Sequence, residues 1–172
     1  MYSQKATSTF TPRPSLQQFL QYALLKHKVV IWSSAKQHNV TKMVNNLLSP
    51  MQRQQVLKVW SREQLKLGTA YDQKVQVYKQ LSWLWADEEI IKSFSPTYGG
   101  YRWDQTNTVL IDDSLDKAAA EPYNLLQVGE YSISEDALKV DMLRQVALYL
   151  EELSVVDNVS SHLRVNLSLI HI

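Results

Sequence analysis

The chain has 172 residues, with 45% hydrophobic and 20% charged side chains, no cysteine and a formal net charge of +1. Such a length and composition fit one globular domain, and the lack of cysteine excludes a disulfide framework, a thiolate metal site and a cysteine nucleophile. The near-neutral sum hides an asymmetry: residues 1–62 hold nine Lys or Arg and no Asp or Glu, while residues 63–172 hold nine basic and seventeen acidic side chains.

The early basic residues (Lys5, Arg13, Lys26, Lys28, Lys36, Lys42) are scattered, with no RNA-binding motif around Phe10 or Trp32. A solvated basic surface is therefore expected, and no nucleic-acid partner. No uninterrupted apolar run approaches the roughly 20 residues of a membrane-spanning helix, so no span is expected. Residues 1–9 are Ser/Thr-rich and acid-free, as transit peptides are, but they lack Arg and an amphipathic stripe.

In chain order, residues 1–14 read as a loop stiffened by Pro12 and Pro14. Ser15 stands where a cap would start a helix, with Leu16, Phe19, Leu20, Ala23 and Leu24 recurring at helical spacing. Residues 28–32 hold a continuous run rich in β-branched side chains, Val29-Val30-Ile31, as a strand covered on both faces does. A helix over residues 37–48 follows Ser33-Ser34, and Pro50 is expected to end it. Residues 56–60 read as a short strand, and residues 75–85 as a helix. Residues 86–106, with Ser95-Pro96 and Gly99-Gly100, read as an irregular insertion. Its Tyr98, Tyr101 and Trp103 suit a substrate-facing loop or simple packing equally. Residues 108–111 form another buried-type strand ending in Asp112-Asp113-Ser114. A short helix at 115–120, a strand at 125–128 and a long amphipathic helix at 137–153 complete the pattern. Strands alternating with helices argue for an α/β fold with a mostly parallel sheet, and ligands in such sheets sit at the carboxyl ends of the strands.

Two strand ends carry groups suited to chemistry. Adjacent carboxylates, Asp112 and Asp113, suit a hard cation such as Mg²⁺. The hydroxyls of Ser33-Ser34 at a strand-to-helix turn suit a phosphate oxygen, and a lysine nearby would neutralise its charge. Each piece also has a plainer reading: Asp-Asp-Ser and Ser-Ser both suit helix caps, and Lys79 suits a surface. His27, His38 and His162 show no metal-ligand spacing.

The order of the pieces is more specific. An apolar strand ending in Ser, a later Lys and an apolar strand ending in Asp-Asp resemble motifs two, three and four of the haloacid dehalogenase superfamily. The finer resemblance is to the NLI-interacting-factor-like family, the homology domain of RNA polymerase C-terminal-domain phosphatases. It is carried by Arg13-Pro14-Ser15-Leu16 with Phe19-Leu20 (Ser15 standing where Gly is usual), by Val29-Val30-Ile31-Trp32-Ser33-Ser34, by Tyr78-Lys79-Gln80-Leu81, and by Val109-Leu110-Ile111-Asp112-Asp113-Ser114. Glu121-Pro122-Tyr123-Asn124-Leu125 and the helix over 143–153 resemble the closing strand and helix. The stretch Arg102-Trp103-Asp104-Gln105-Thr106-Asn107-Thr108 is similar to the fungal branch.

This resemblance implies a Rossmann-like haloacid dehalogenase fold and a Mg²⁺-dependent serine/threonine phosphatase acting on a phosphoprotein through a phosphoaspartate. Ser33 would hold a phosphoryl oxygen and Lys79 would bind phosphate. Asp112 and Asp113 would hold Mg²⁺ in the full-length protein, Asp113 the more directly. Lys74 is an alternative to Lys79 without the Lys-x-Leu context. The family's first motif, Asp-x-Asp-x-Thr/Val on the central strand, has no counterpart, since no Asp precedes Asp72. The chain is therefore expected to be a fragment without its nucleophile, its acid/base or its central strand. On this reading residues 1–11 are a loop or remnant, 12–155 the incomplete phosphatase homology domain, 156–166 a tail, and 167–172 a segment resembling a translated sequencing adaptor. The same family implies an alternative, a subunit of the mitochondrial inner-membrane presequence translocase, whose partners would be presequences and other translocase subunits. A non-catalytic truncated paralogue is a further one. The resemblance implies nucleus or cytoplasm for the phosphatase and the mitochondrial inner membrane for the translocase subunit.

Overall fold

Two parallel strand pairs frame the molecule. Strand β1, Val30–Trp32, pairs with β2, Lys58–Trp60, placing Val30 opposite Lys58 and Trp32 opposite Trp60. Strand β3, Leu110–Asp112, pairs with β4, Leu125–Gln127, placing Leu110 opposite Leu125. The computed structural model describes residues 12–98, 100–131 and 141–166. The loop assigned to residues 1–11, the first part of the helix expected over 137–153 and the adaptor-like residues 167–172 lie outside the described residues.

Parallel neighbours need a crossover, not a tight turn. Helices α2, Gln37–Leu47, and α3, Pro50–Gln55, make the first. Single 3₁₀ turns at Asp116–Ala118 and Pro122–Asn124 make the second. The fold is thus α/β with parallel strands, as the sequence implies. Among the described residues the two pairs remain separate sheets, with no strand hydrogen-bonded between them.

Each pair is covered on both faces, because side chains alternate along a strand. On one face of the first pair, Trp32 and Trp60 meet edge to face at 4.9 Å within a cluster that also holds Val77, Leu81, Leu84, Leu110 and Leu125. This cluster joins the two pairs. On the other face, Ile31 and Val59 pack against Val40, Val44 and Leu48 around α2. On the second pair, Leu125 belongs to the shared cluster. Leu126 turns the opposite way, to meet Val146, Leu150 and Leu153 of helix α6, Met142–Leu153. Helix α1, Leu16–Lys26, packs Phe19 and Tyr22 against the same cluster.

The structure departs from the sequence reading at four places. The helix expected over 75–85 shrinks to α4, Leu81–Trp85, followed by α5, Glu88–Lys92. Residues 76–81 alternate in burial, with Val77, Lys79 and Leu81 inside, as an extended segment does. The Lys79 N–H donates to the Lys117 carbonyl at 2.7 Å, and the Glu121 carboxylate accepts from the Leu81 N–H at 2.9 Å, which delays the helix start. Pro50 begins α3 instead of ending α2: it occupies the first turn, where its missing N–H costs nothing, behind a capping box of Ser49 and Gln52. Ser15 is no side-chain cap. It adopts a left-handed φ of 57°, a conformation in which glycine is at ease, and its hydroxyl donates to Asp141 at 2.7 Å. Finally, packing continues past residue 155, where the sequence reading ended the domain. Helix α7, Val159–Val165, is capped by Asn158 and buries Val159 and Leu163, one turn apart, in the α6 cluster.

Candidate functional site

The carboxyl end of β3 carries the densest charge cluster among the described residues. The Asp112 backbone pairs with β4 and its side chain points inward, 6% exposed. Lys79 Nζ lies 2.6 Å from Asp112 Oδ2 and is itself 8% exposed. A lysine this deep is held only by a partner, and Asp112 is that partner. The other oxygen, Oδ1, accepts from Lys117 Nζ at 2.9 Å and from the Ser114 N–H at 3.1 Å. Asp113 sits one residue on with 45% of its side chain exposed, and its Oδ1 accepts from the same Lys117 at 2.8 Å. Two carboxylates and two ammonium groups thus balance formally, three of them between the end of β3 and the turn after it and Lys79 reaching in from 33 residues away.

Burial by itself would push the Asp112 carboxyl up. The ammonium groups of Lys79 and Lys117, both hydrogen-bonded to it, outweigh burial and hold Asp112 well below the usual carboxylate range. Burial likewise disfavours the charged form of Lys117, but its hydrogen bonds to Asp113 and Asp112 raise it above the ordinary lysine value. Asp112 and Lys117 are therefore both charged near neutral pH.

The backbone explains the geometry. The extended run before α4 aims every second side chain inward, so Lys79 enters the core beside Val77 and Leu81 while Lys74 stays exposed. The Lys79 to Lys117 main-chain bond fixes that run against the turn after β3. Lys117 lies four residues after Asp113, a spacing that brings opposite charges together on a helical turn. The loop entering β3 is held from beneath by Asn124, 2% exposed, whose amide donates to the carbonyls of Gln105 at 2.7 Å and Thr108 at 2.8 Å. In the insertion, Trp103 packs edge to face on Phe94 and donates to Ser93 at 3.0 Å, whereas Tyr101 is wholly exposed.

Ser33 ends β1. Its N–H donates to the Trp60 carbonyl at 2.9 Å, and its hydroxyl accepts from the Ala35 N–H at 3.2 Å. The preceding residue, Trp32, shares a core cluster with Leu110, but no hydrogen bond links Ser33 directly to the Lys79–Asp112 pair among the described residues. Ser33 does not cap α2. There the Gln37 N–H donates to the Glu63 carboxylate at 3.2 Å. Glu63 also accepts from the fully buried Ser61 hydroxyl and from the Tyr71 hydroxyl. The Ser61 and Tyr71 hydrogen bonds bring Glu63 down to about 2.

Of the residues singled out from sequence, Lys79, Asp112 and Asp113 therefore converge, and Ser33 lies just past the end of β1 with no bond to them. Sequence reasoning missed Lys117, Asn124 and Glu63. The Asp-x-x-x-Lys spacing was the only signal for Lys117, and the other two depend on contacts remote in sequence. No group of three or more His, Asp or Glu side chains converges as a metal cage among the described residues. Mg²⁺ characteristically takes one or two carboxylates, several waters and a phosphate oxygen. The half-exposed Asp113 beside Asp112 fits that pattern.

A family model for NLI interacting factor-like phosphatases matches residues 1–160. An FCP1 homology domain-containing protein of Schizosaccharomyces pombe, described as uncharacterized, is 35% identical over 155 residues. The alignment covers 88% of this chain and 62% of that protein, so the chain spans less than two thirds of the relative's length.

Proposed function

The chain belongs to the NLI interacting factor-like phosphatase family, and we propose that Lys79, Asp112 and Asp113 form the phosphate- and cation-holding side of a protein phosphatase site acting on phosphoserine or phosphothreonine. The observation that carries this reading is the buried Lys79–Asp112 pair, 2.6 Å apart, with Asp113 exposed beside it. Burial of such a pair is costly unless geometry and hydrogen bonds compensate, so its retention at a strand end, where ligands of parallel sheets sit, favours a working role.

Each residue then has a task. Lys79 places one fixed positive charge against the equatorial oxygens of a transferring phosphoryl group. Asp112 holds Lys79 charged and aimed. Asp113, exposed and held by one flexible lysine, would be the direct ligand of Mg²⁺, with Asp112 behind it. Mg²⁺, when bound, would neutralise charge on the phosphoryl oxygens. Ser33 holds a further phosphoryl oxygen from the end of β1. None of these groups is a nucleophile, since Asp112 and Asp113 are engaged with lysines and the 172 residues contain no Asp-x-Asp. Turnover therefore requires a carboxylate from outside these residues.

Hydrolysis of a phosphoserine peptide tests the assignment, using a form of the protein that includes an Asp-x-Asp strand. Asp113→Ala is expected to lower the rate by at least about a hundredfold, the usual order for losing one preorganised charge-stabilising contact. Wild-type rates in that variant would remove Asp113 from the site.

A further inference from the structure

Lys117 has no part in the reading above, yet it is the only group that touches both carboxylates among the described residues, at 2.9 Å from Asp112 Oδ1 and 2.8 Å from Asp113 Oδ1. Its main chain is fixed. The Lys117 carbonyl accepts from the Lys79 N–H, and the next residue, Ala118, is 2% exposed. Its side chain is less confined than that of Lys79, at 23% against 8% exposed, and the ammonium sits on a flexible four-carbon stem.

We propose that Lys117 is a built-in counter-ion of the cation site, released from Asp113 when a divalent cation binds. The inference rests on the cation role proposed for Asp113. With Lys117 in place the cluster is formally neutral, and one Asp113 carboxylate oxygen, Oδ1, is already taken. With Lys117 swung to solvent, two carboxylates face the single charge of Lys79, leaving one net negative charge for a cation to meet. A monovalent ion gains little by replacing one unit charge with another. A divalent ion carries twice the charge to the same oxygens, so the exchange favours it. Lys117 therefore keeps the acidic pair folded and neutral before loading and makes the site selective for divalent ions.

Mn²⁺ binding followed by electron paramagnetic resonance on the 172-residue protein reads this without catalysis. Lys117→Met is expected to tighten Mn²⁺ binding about tenfold, the order for removing one unit charge a few ångströms away near the surface. Lys117→Arg should bind as wild type does or more weakly. In the wild-type protein, the Lys117 Nζ resonance should shift on Mg²⁺ addition while Lys79 keeps its bond to Asp112. Unchanged or weaker Mn²⁺ binding in Lys117→Met, or a Lys117 resonance indifferent to Mg²⁺, overturns the counter-ion role alone. Asp113→Asn separates the two readings. If wild type binds no Mn²⁺, or Asp113→Asn binds it equally well, the cation site itself fails, and the role of Lys117 falls with it.

Discussion

Lys79 and Asp112 are 33 residues apart in sequence and 2.6 Å apart in space, and each side chain is more than nine-tenths buried. Removing Asp112 leaves the Lys79 ammonium uncompensated in the core, at a cost of about 3–5 kcal/mol, whereas removing Lys79 leaves Asp112 its bond to Lys117. Asp112→Asn should lower stability by that order and Lys79→Met by less, while the double variant Lys79→Met/Asp112→Asn should cost less than the sum. Urea unfolding of the three variants measures it. Additive losses would show that the pair is not coupled.

The acid side of the stability profile follows from two carboxylates. Asp112 and Glu63 both titrate below their usual range in the folded chain, Glu63 at about 2. For such groups the stabilisation is fully present above the unfolded value, about 4 for either carboxylate, and is lost as pH falls through the folded value. Stability should therefore decline from about pH 4.5 towards pH 2. Glu63→Gln, which also loses the Ser61, Tyr71 and Gln37 contacts as a carboxylate, should start lower at pH 7 and decline less steeply. Parallel profiles for variant and wild type, by urea midpoint against pH, would remove Glu63 from the account.

Leu163 is fully buried in the cluster that α7 shares with β4 and α6. Leu163→Ala should cost about 2–5 kcal/mol through lost burial and the cavity left behind. A loss under about 1 kcal/mol in chemical denaturation would mean that α7 is not part of the core.

Asn124 reaches two carbonyls that no other side chain satisfies among the described contacts. Asn124→Leu removes both bonds and leaves the half-buried Thr108 carbonyl without that partner, at about 1–3 kcal/mol. Faster amide exchange should appear around Thr108 and Leu110 and spare β1. Exchange unchanged around Thr108 would contradict the supporting role of Asn124.

The legible parts of the molecule were those encoded locally. The β-branched runs at Val30–Trp32 and Leu110–Asp112 declared strands, and the spacing of Leu143, Val146, Leu150 and Leu153 declared α6. Helical spacing misled at residues 75–80, because Val77, Lys79 and Leu81 also satisfy a period of two, and the distant Lys117 carbonyl decides for the extended form. Ser15 looked like a cap because cap preference describes side chains, whereas its left-handed backbone and its bond to Asp141 are set by packing 126 residues away. At the site, Asp112, Asp113 and Lys79 stood out through residue type and order. Lys117 did not, although its proximity to both carboxylates sets the charge balance there.

The central claim is that the Lys79–Asp112–Asp113 cluster holds phosphate together with a divalent cation. Calorimetric titration of the 172-residue protein with a phosphoserine peptide, with Mg²⁺ and with chelator, tests it most directly. Binding that requires Mg²⁺, and is lost in Asp113→Asn while the thermal melt stays cooperative, is the predicted result. Binding that ignores both Mg²⁺ and Asp113, or uptake of a basic amphipathic presequence peptide with none of the phosphopeptide, would contradict it.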